Sequence, residues 1–176
     1  MRFGHDIAVA LESGVWLANT LNDANALRSV ADLHAFYRDF DYTGAEPTPA
    51  DLAPMRAIRR QLRELFLAGR DDAAGLVNEI LAQSHAVPRL VRHGTTDWHI
   101  HATADSDPLP TRVLVESAIG VIDMIRANEM DRFGVCALDD CDGVLLDLSR
   151  NRSRLYCCVA CTNRAAAAAY RARARS

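Results

Sequence analysis

Five cysteines stand within 26 residues near the C-terminal end of this chain, Cys136, Cys141, Cys157, Cys158 and Cys161, and none precedes them. The opening MRFGHDIAVALESGVW is interrupted by His5, Asp6 and Glu12 and does not read as a secretory leader. Clustered cysteines in such a chain point to metal rather than to disulfides, and the expected compartment is the cytoplasm. Cys136 and Cys141 form a tight pair, and the group Cys157-Cys158-Val159-Ala160-Cys161 follows after fifteen intervening residues. Two close pairs separated by a short β-like segment, residues 144–148, have the spacing of a structural zinc site. Zinc takes four soft thiolates in a tetrahedron, and each pair has to come from one tight turn, so a single structural Zn2+ is expected.

Five thiols compete for four places. Cys157 and Cys161 lie one helical turn apart on one face, and Cys158 with Cys161 is also stereochemically feasible. Residues 163–175 are alanine-rich, with a run of alanines at 165–169 and no helix breaker, so the second pair opens a helix. A knuckle, a hairpin and then a helix holding the last ligands in its first turn is a treble-clef-like order. At roughly forty residues such a module is too small to fold on its own apolar core, and the metal would supply much of its stability.

Charge is divided as unevenly as the cysteines. Every positive side chain is an arginine, so arginine in general carries no functional signal here, but its placement does. Residues 149–176 hold seven arginines (Arg150, Arg152, Arg154, Arg164, Arg171, Arg173 and Arg175) and no acid, although the whole chain has a net charge of −3. The preceding 148 residues carry thirteen arginines against all 23 acids. A basic tail on an acidic body suits contact with a polyanion through the tail alone.

The body reads as one mostly helical α+β domain with a small antiparallel hairpin. Ile7, Leu11 and Val15 predict a helix over about 7–21, and Ser29 with Asp32 forms a capping-box pattern ahead of Leu33, Phe36, Tyr37 and Phe40. Residues 41–49 are a loop. Thr48 caps and Pro49 begins a helix whose stripe Leu52, Met55, Ile58, Leu62, Leu65 and Phe66 ends at Gly69; a further helix starts at Asp71 with Leu76, Val77, Ile80 and Leu81. Around Gly94-Thr95-Thr96, Leu90 and the alternation Trp98, Ile100, Ala102 predict a hairpin with Trp98 and Ile100 in the core and His99 and His101 toward solvent. A long apolar helix over about 111–128 follows, which serves either a dimer face or the monomer core. No run of eighteen uncharged apolar residues exists, so no membrane span is expected.

Candidate ligand contacts in the body are few. Arg59 and Arg63, one turn apart, could clamp a carboxylate or phosphate, with Asn19 and Asn78 offering amides; pairing with Glu64, Asp51 or Glu79 is the alternative. There is no Gly-rich phosphate loop, no Gly-x-Ser-x-Gly and no His-Glu-x-x-His, and four thiolates close a zinc shell, so an enzyme is not expected.

The run Cys136-x4-Cys141, Val144-Leu-Leu-Asp-Leu-Ser-Arg-Asn151, Arg154-Leu-Tyr-Cys157, Cys161-Thr-Asn-Arg164 and Tyr170-Arg-Ala-Arg173 resembles the CGNR zinc-finger family. In that family a ligand cysteine runs into Gly-Asn-Arg; here Thr162 stands at the glycine, which is not a ligand. The resemblance implies Cys136, Cys141, Cys157 and Cys161 as ligands, with Cys158 at a position usually held by a small residue. The body is similar to the ABATE domain that precedes this finger, through Leu17-Ala-Asn19-Thr20-Leu21, the Ile58 to Phe66 helix and Val77-Asn78 with Leu81. The domains would then be 1–128 and 129–176.

A stress-induced transcription regulator is what the resemblance implies, with the finger on DNA and the body sensing a small effector. The residues agree for the finger: Arg150, Arg152, Arg154, Arg164, Arg171 and Arg173 suit phosphate oxygens and guanine edges, with the first three expected to flank a hairpin turn. One finger reads few base pairs, so specificity would need a homodimer or a partner. The rival is a protein-interaction module in which zinc is a brace and the basic tail meets an acidic partner.

Overall fold

The computed structural model describes residues 4–23, 26–92 and 98–174; the expected turn at Gly94-Thr95-Thr96 and the tail residue Arg175 lie outside the described residues. Helix α1 spans His5–Asn19 and passes into a single 3-10 turn, Thr20–Asn22. Helix α2 spans Val30–Asp39 behind the expected capping box, in which the Ser29 N–H donates to the Asp32 carboxylate at 2.8 Å. Helix α3, Leu52–Leu67, is entered through a 3-10 turn at Pro49–Asp51 that Thr48 and Asp51 cap in the same way. Helix α4 covers Arg70–Gln83, with Gly69 as its N-cap rather than as part of α3.

Strands β1 (Arg89–Val91) and β2 (His99–His101) pair antiparallel, with Leu90 opposite Ile100. The face of this hairpin is the reverse of the sequence expectation. His99 is buried and His101 half-buried, their Nε2 atoms 3.1 Å apart, while Trp98, Ile100 and Leu90 are exposed. The reason lies in what the ribbon covers. It is not part of a larger sheet over the main core, and its inner side meets the polar groups Arg112 and Glu116 around a cavity. Alternation alone fixes which residues share a face, not which face turns inward.

Helix α5, Leu109–Ala127, forms the centre of the body, with Val113, Val115, Ala118, Val121 and Met124 fully buried against α1, α3 and α4. The apolar length that left a dimer face open is therefore taken up inside the chain. α1 and α5 approach so closely that a Cβ on Gly120 would lie 2.7 Å from Leu11 Cδ2, a contact only glycine permits. α5 ends at Asn128 in the left-handed region (φ 57°), and the Glu129 N–H returns to Met124 O at 2.9 Å, the six-to-one bond of a Schellman cap.

After a 3-10 turn at Met130–Arg132, β3 (Phe133–Val135) and β4 (Val144–Leu146) pair antiparallel, and α6 spans Val159–Arg173. The second hairpin packs into the body's core. Phe133 stacks on Phe66 of α3 with ring centroids 4.9 Å apart, and Val144 and Leu146 are buried. α6 behaves differently: Cys161 is its single buried residue. No helix among the described residues is long and apolar enough to cross a membrane.

Candidate metal centre and basic face

The turn that joins β3 to β4 holds the first cysteine pair. Cys136 follows β3 directly, and its N–H bonds to Gly143 O at 2.9 Å, closing the hairpin; Cys141 N–H reaches Leu138 O at 3.0 Å, folding the knuckle between them. The second pair arrives at the start of α6. Cys158 is the N-cap residue, so Cys157 precedes the helix and Cys161 occupies its first turn.

The four sulfurs of Cys136, Cys141, Cys157 and Cys161 all lie within 4.8 Å of one another. Three of the edges, Cys141–Cys157, Cys157–Cys161 and Cys161–Cys141, are each 3.7 Å. A zinc ion bound at about 2.3 Å by tetrahedral thiolates requires sulfur edges of about 3.8 Å. The cluster therefore has the dimensions and the soft donor set of a closed zinc site for one ion. Cys158 is exposed and is not part of it, so of the two stereochemically open choices the geometry takes Cys157.

Without a cation the four thiols cannot all ionise together. Burial and then the neighbouring sulfurs push Cys161 up to about 12 and Cys157 further. Burial also acts to raise Cys136, but backbone N–H groups of Leu138 and Cys157 point at its sulfur and bring it down to about 7. A bound divalent ion inverts this competition and holds every thiol as thiolate.

Sequence inspection missed two supports of this centre. Gly143 is needed for close approach: a Cβ there would stand 2.7 Å from Cys157 Sγ and 3.4 Å from Cys141 Sγ. Arg132 and Asp147 are the second. Arg132 is buried, donates to the carbonyls of Asp147 and Ser149 at 2.9 and 3.0 Å, and pairs with Glu129 at 2.6 Å. Burial acts to raise the Asp147 carboxyl, but hydrogen bonds from Ser149 and Arg154 hold it below the usual range. The sequence itself offered only an arginine beside Phe133, and in an arginine-rich chain it does not stand out.

The candidate arginines separate into two groups. Arg150, Arg152 and Arg154 lie in the loop after β4 that leads to Cys157; the hairpin turn they were expected to flank is the cysteine knuckle itself. Arg154 donates from its guanidinium to the carbonyls of Leu146, Tyr156 and Cys157, so it braces the ligand loop. Arg152 pairs with Glu129 and Asp131, and Arg164 with Asp140. Arg150, Arg171 and Arg173 are exposed and make no ion pair with the described residues.

In the body, Asn19 exchanges two hydrogen bonds with the Val144 backbone, Arg59 donates to Thr20 O at 2.8 Å, and Arg63 pairs with Asp142 at 3.5 Å. Asn78 is exposed on α4. None of the four lines the cavity of about 340 Å3 between α1, α5 and β2, whose polar residues include Tyr42, Arg112 and Glu116.

Comparison with known families gives two matches in tandem. Residues 13–128 match the ABATE model, described as "Putative stress-induced transcription regulator". Residues 132–174 match the model of the CGNR zinc finger. No curated protein matches the chain.

Proposed function

We propose, of a chain that belongs to the ABATE family and ends in a CGNR zinc finger, that it regulates transcription by gripping duplex DNA through the finger while the body takes up a small effector. One observation carries the DNA half. α6 leaves the zinc centre with thirteen of its fifteen residues exposed, and Arg171 and Arg173 on it meet no acid, while Arg164 pairs with Asp140 of the knuckle. A projecting, alanine-smooth, basic helix of about 22 Å is of a size to enter a major groove of about 12 Å width. Knuckle, strand and helix in this order read as treble-clef-like. The centre is structural, because four thiolates leave zinc no open position, and we read the chain as non-catalytic and cytoplasmic.

A second reading has its own observation. Leu155, Val159 and Tyr170 are exposed on the finger, and Arg152 and Arg164 are already paired with acids of the chain, which favours a protein partner with zinc as a brace. Fluorescence anisotropy of zinc-loaded protein on random-sequence duplex, titrated with salt, separates the two. DNA binding requires an affinity that falls steeply and linearly on log–log axes. Absence of duplex binding at about 50 mM salt leaves the protein-partner reading.

A further inference from the structure

The cavity of about 340 Å3 lies between the first turns of α1, the end of α2, the middle of α5 and strand β2. That volume is at the lower end for small-molecule sites. On its floor Glu116 is largely buried and bonded to the Tyr42 hydroxyl, which also meets Ser13 Oγ at 3.0 Å. Asp41 and Asp105 stand exposed at the rim, and Asp6 lies on the α1 side. The guanidinium in the lining belongs to Arg112 and is held by the carbonyls of Asp107, Thr43 and Ala45. Four carboxyls thus line the cavity, together with the imidazoles of His5, His99 and His101 and one arginine, each of whose three guanidinium nitrogens is held by a backbone carbonyl. Phe40 and Tyr42 give it aromatic walls, and Ile7 and Ile119 give it an apolar side.

We infer that this cavity binds a small organic ammonium, a protonated amine carrying a short apolar chain. The charged nitrogen sits between Glu116 and the rim acids, where aromatic faces add attraction for a cation. The chain lies along Ile7 and Ile119, away from water. An anion would meet the carboxylates of Asp6, Asp41 and Asp105 and is disfavoured. A metal ion is disfavoured for a different reason: among the described residues, only the cysteine cluster brings three or more His, Cys, Asp or Glu donors close enough to share one.

This assignment rests on reading the body as the effector-binding half of a regulator. The test is isothermal titration calorimetry on the zinc-loaded full chain with n-pentylammonium, n-pentanol, n-pentanoate and nickel chloride as separate probes. Saturable binding of pentylammonium, about tenfold tighter than pentanol, is expected, because the charge rather than the chain selects it. At pH 8, where Glu116 is ionised, Glu116→Gln, checked for folding by circular dichroism, should weaken it about tenfold, and Asp105→Asn at the exposed rim by a few-fold. Preference for pentanoate, binding of nickel alone, or no saturable heat with pentylammonium overturns the assignment. Duplex binding measured on the same samples keeps the two readings apart. Lost DNA binding with intact ammonium binding sinks the regulator, and the converse sinks the ligand class alone.

Discussion

Asn19 and Val144, 125 positions apart in sequence, are joined by two hydrogen bonds: the Asn19 amide nitrogen donates to Val144 O at 2.9 Å and its oxygen accepts from Val144 N–H at 2.6 Å. The side chain takes the part that a neighbouring strand would play for β4, and it fixes the end of α1 to the zinc hairpin. Asn19 entered as a candidate ligand contact; its observed partner is the protein's own backbone.

Removing that clamp has a predictable cost. Asn19→Ala leaves a buried N–H and C=O of Val144 without partners, each costing about 1–3 kcal/mol. The urea midpoint should fall accordingly, and Asn19→Asp, which sets a carboxylate oxygen against Val144 O, should not restore it. An unchanged midpoint for Asn19→Ala would mean that the clamp contributes nothing.

At the metal centre, Cys161→Ser should abolish stoichiometric zinc in elemental analysis, while Cys158→Ser retains one ion per chain, because the Cys158 thiol is outside the cluster. Gly143→Ala inserts a methyl 2.7 Å from Cys157 Sγ and should weaken zinc by about 1–3 kcal/mol in chelator competition. Zinc loss from Cys158→Ser together with retention by Cys161→Ser would exchange the assigned ligands.

Glu116 gives a pH signature. Burial, first among its influences, raises its carboxyl from 4.5 to about 7. The unfolded chain therefore loses this proton first, and the native state binds more protons between those values. Stability from this group is undiminished at pH 4.5 and below, falls as pH rises toward 7, and is flat beyond. Glu116→Gln should remove that slope and be more stable than the parent at pH 8 by about 2–3 kcal/mol, with little difference at pH 4.5. Urea melts of both proteins at the two pH values check it, and parallel pH curves would contradict the assigned burial.

On DNA, the two groups of arginines should part company. Arg171→Ala with Arg173→Ala removes two charges that meet no acid and should reduce the log–log salt slope by about 1.8 if both touch phosphate. Arg154→Ala should act through the fold instead, lowering zinc retention, since it frees three carbonyls around Cys157. Equal slopes for parent and the double variant would place the duplex elsewhere on the chain.

Much of this architecture was legible from local chemistry. The Ser29–Asp32 box, the Thr48 cap, the stripe of α3 and the cysteine spacing each satisfy themselves within a few residues, so the sequence displays them directly, although the part of Asp51 in the Thr48 cap was not read. Relations set by distant packing were not legible. The turning inward of His99 depends on a cavity built from α1 and α5, and the burial of Glu116 and Arg112 depends on the loop at residues 41–45 closing over them. The destination of Asn19 depends on a strand beyond residue 140. The choice of Cys157 over Cys158 is intermediate: spacing allowed both, and the helix start at Val159, with Cys158 as cap, decides it.

Phe133 stacked on Phe66, with Val144 and Leu146 buried beside it, makes the boundary near residue 128 a seam in sequence but not in space. A chain severed there would yield two pieces, each with a raw apolar surface that the other was built to cover. The finger is thus poorly suited to life as a transplantable cassette. Stripping the metal would loosen a wall of the same compartment that seats the body's helices, so metal supply and the integrity of the helical half are bound to rise and fall together.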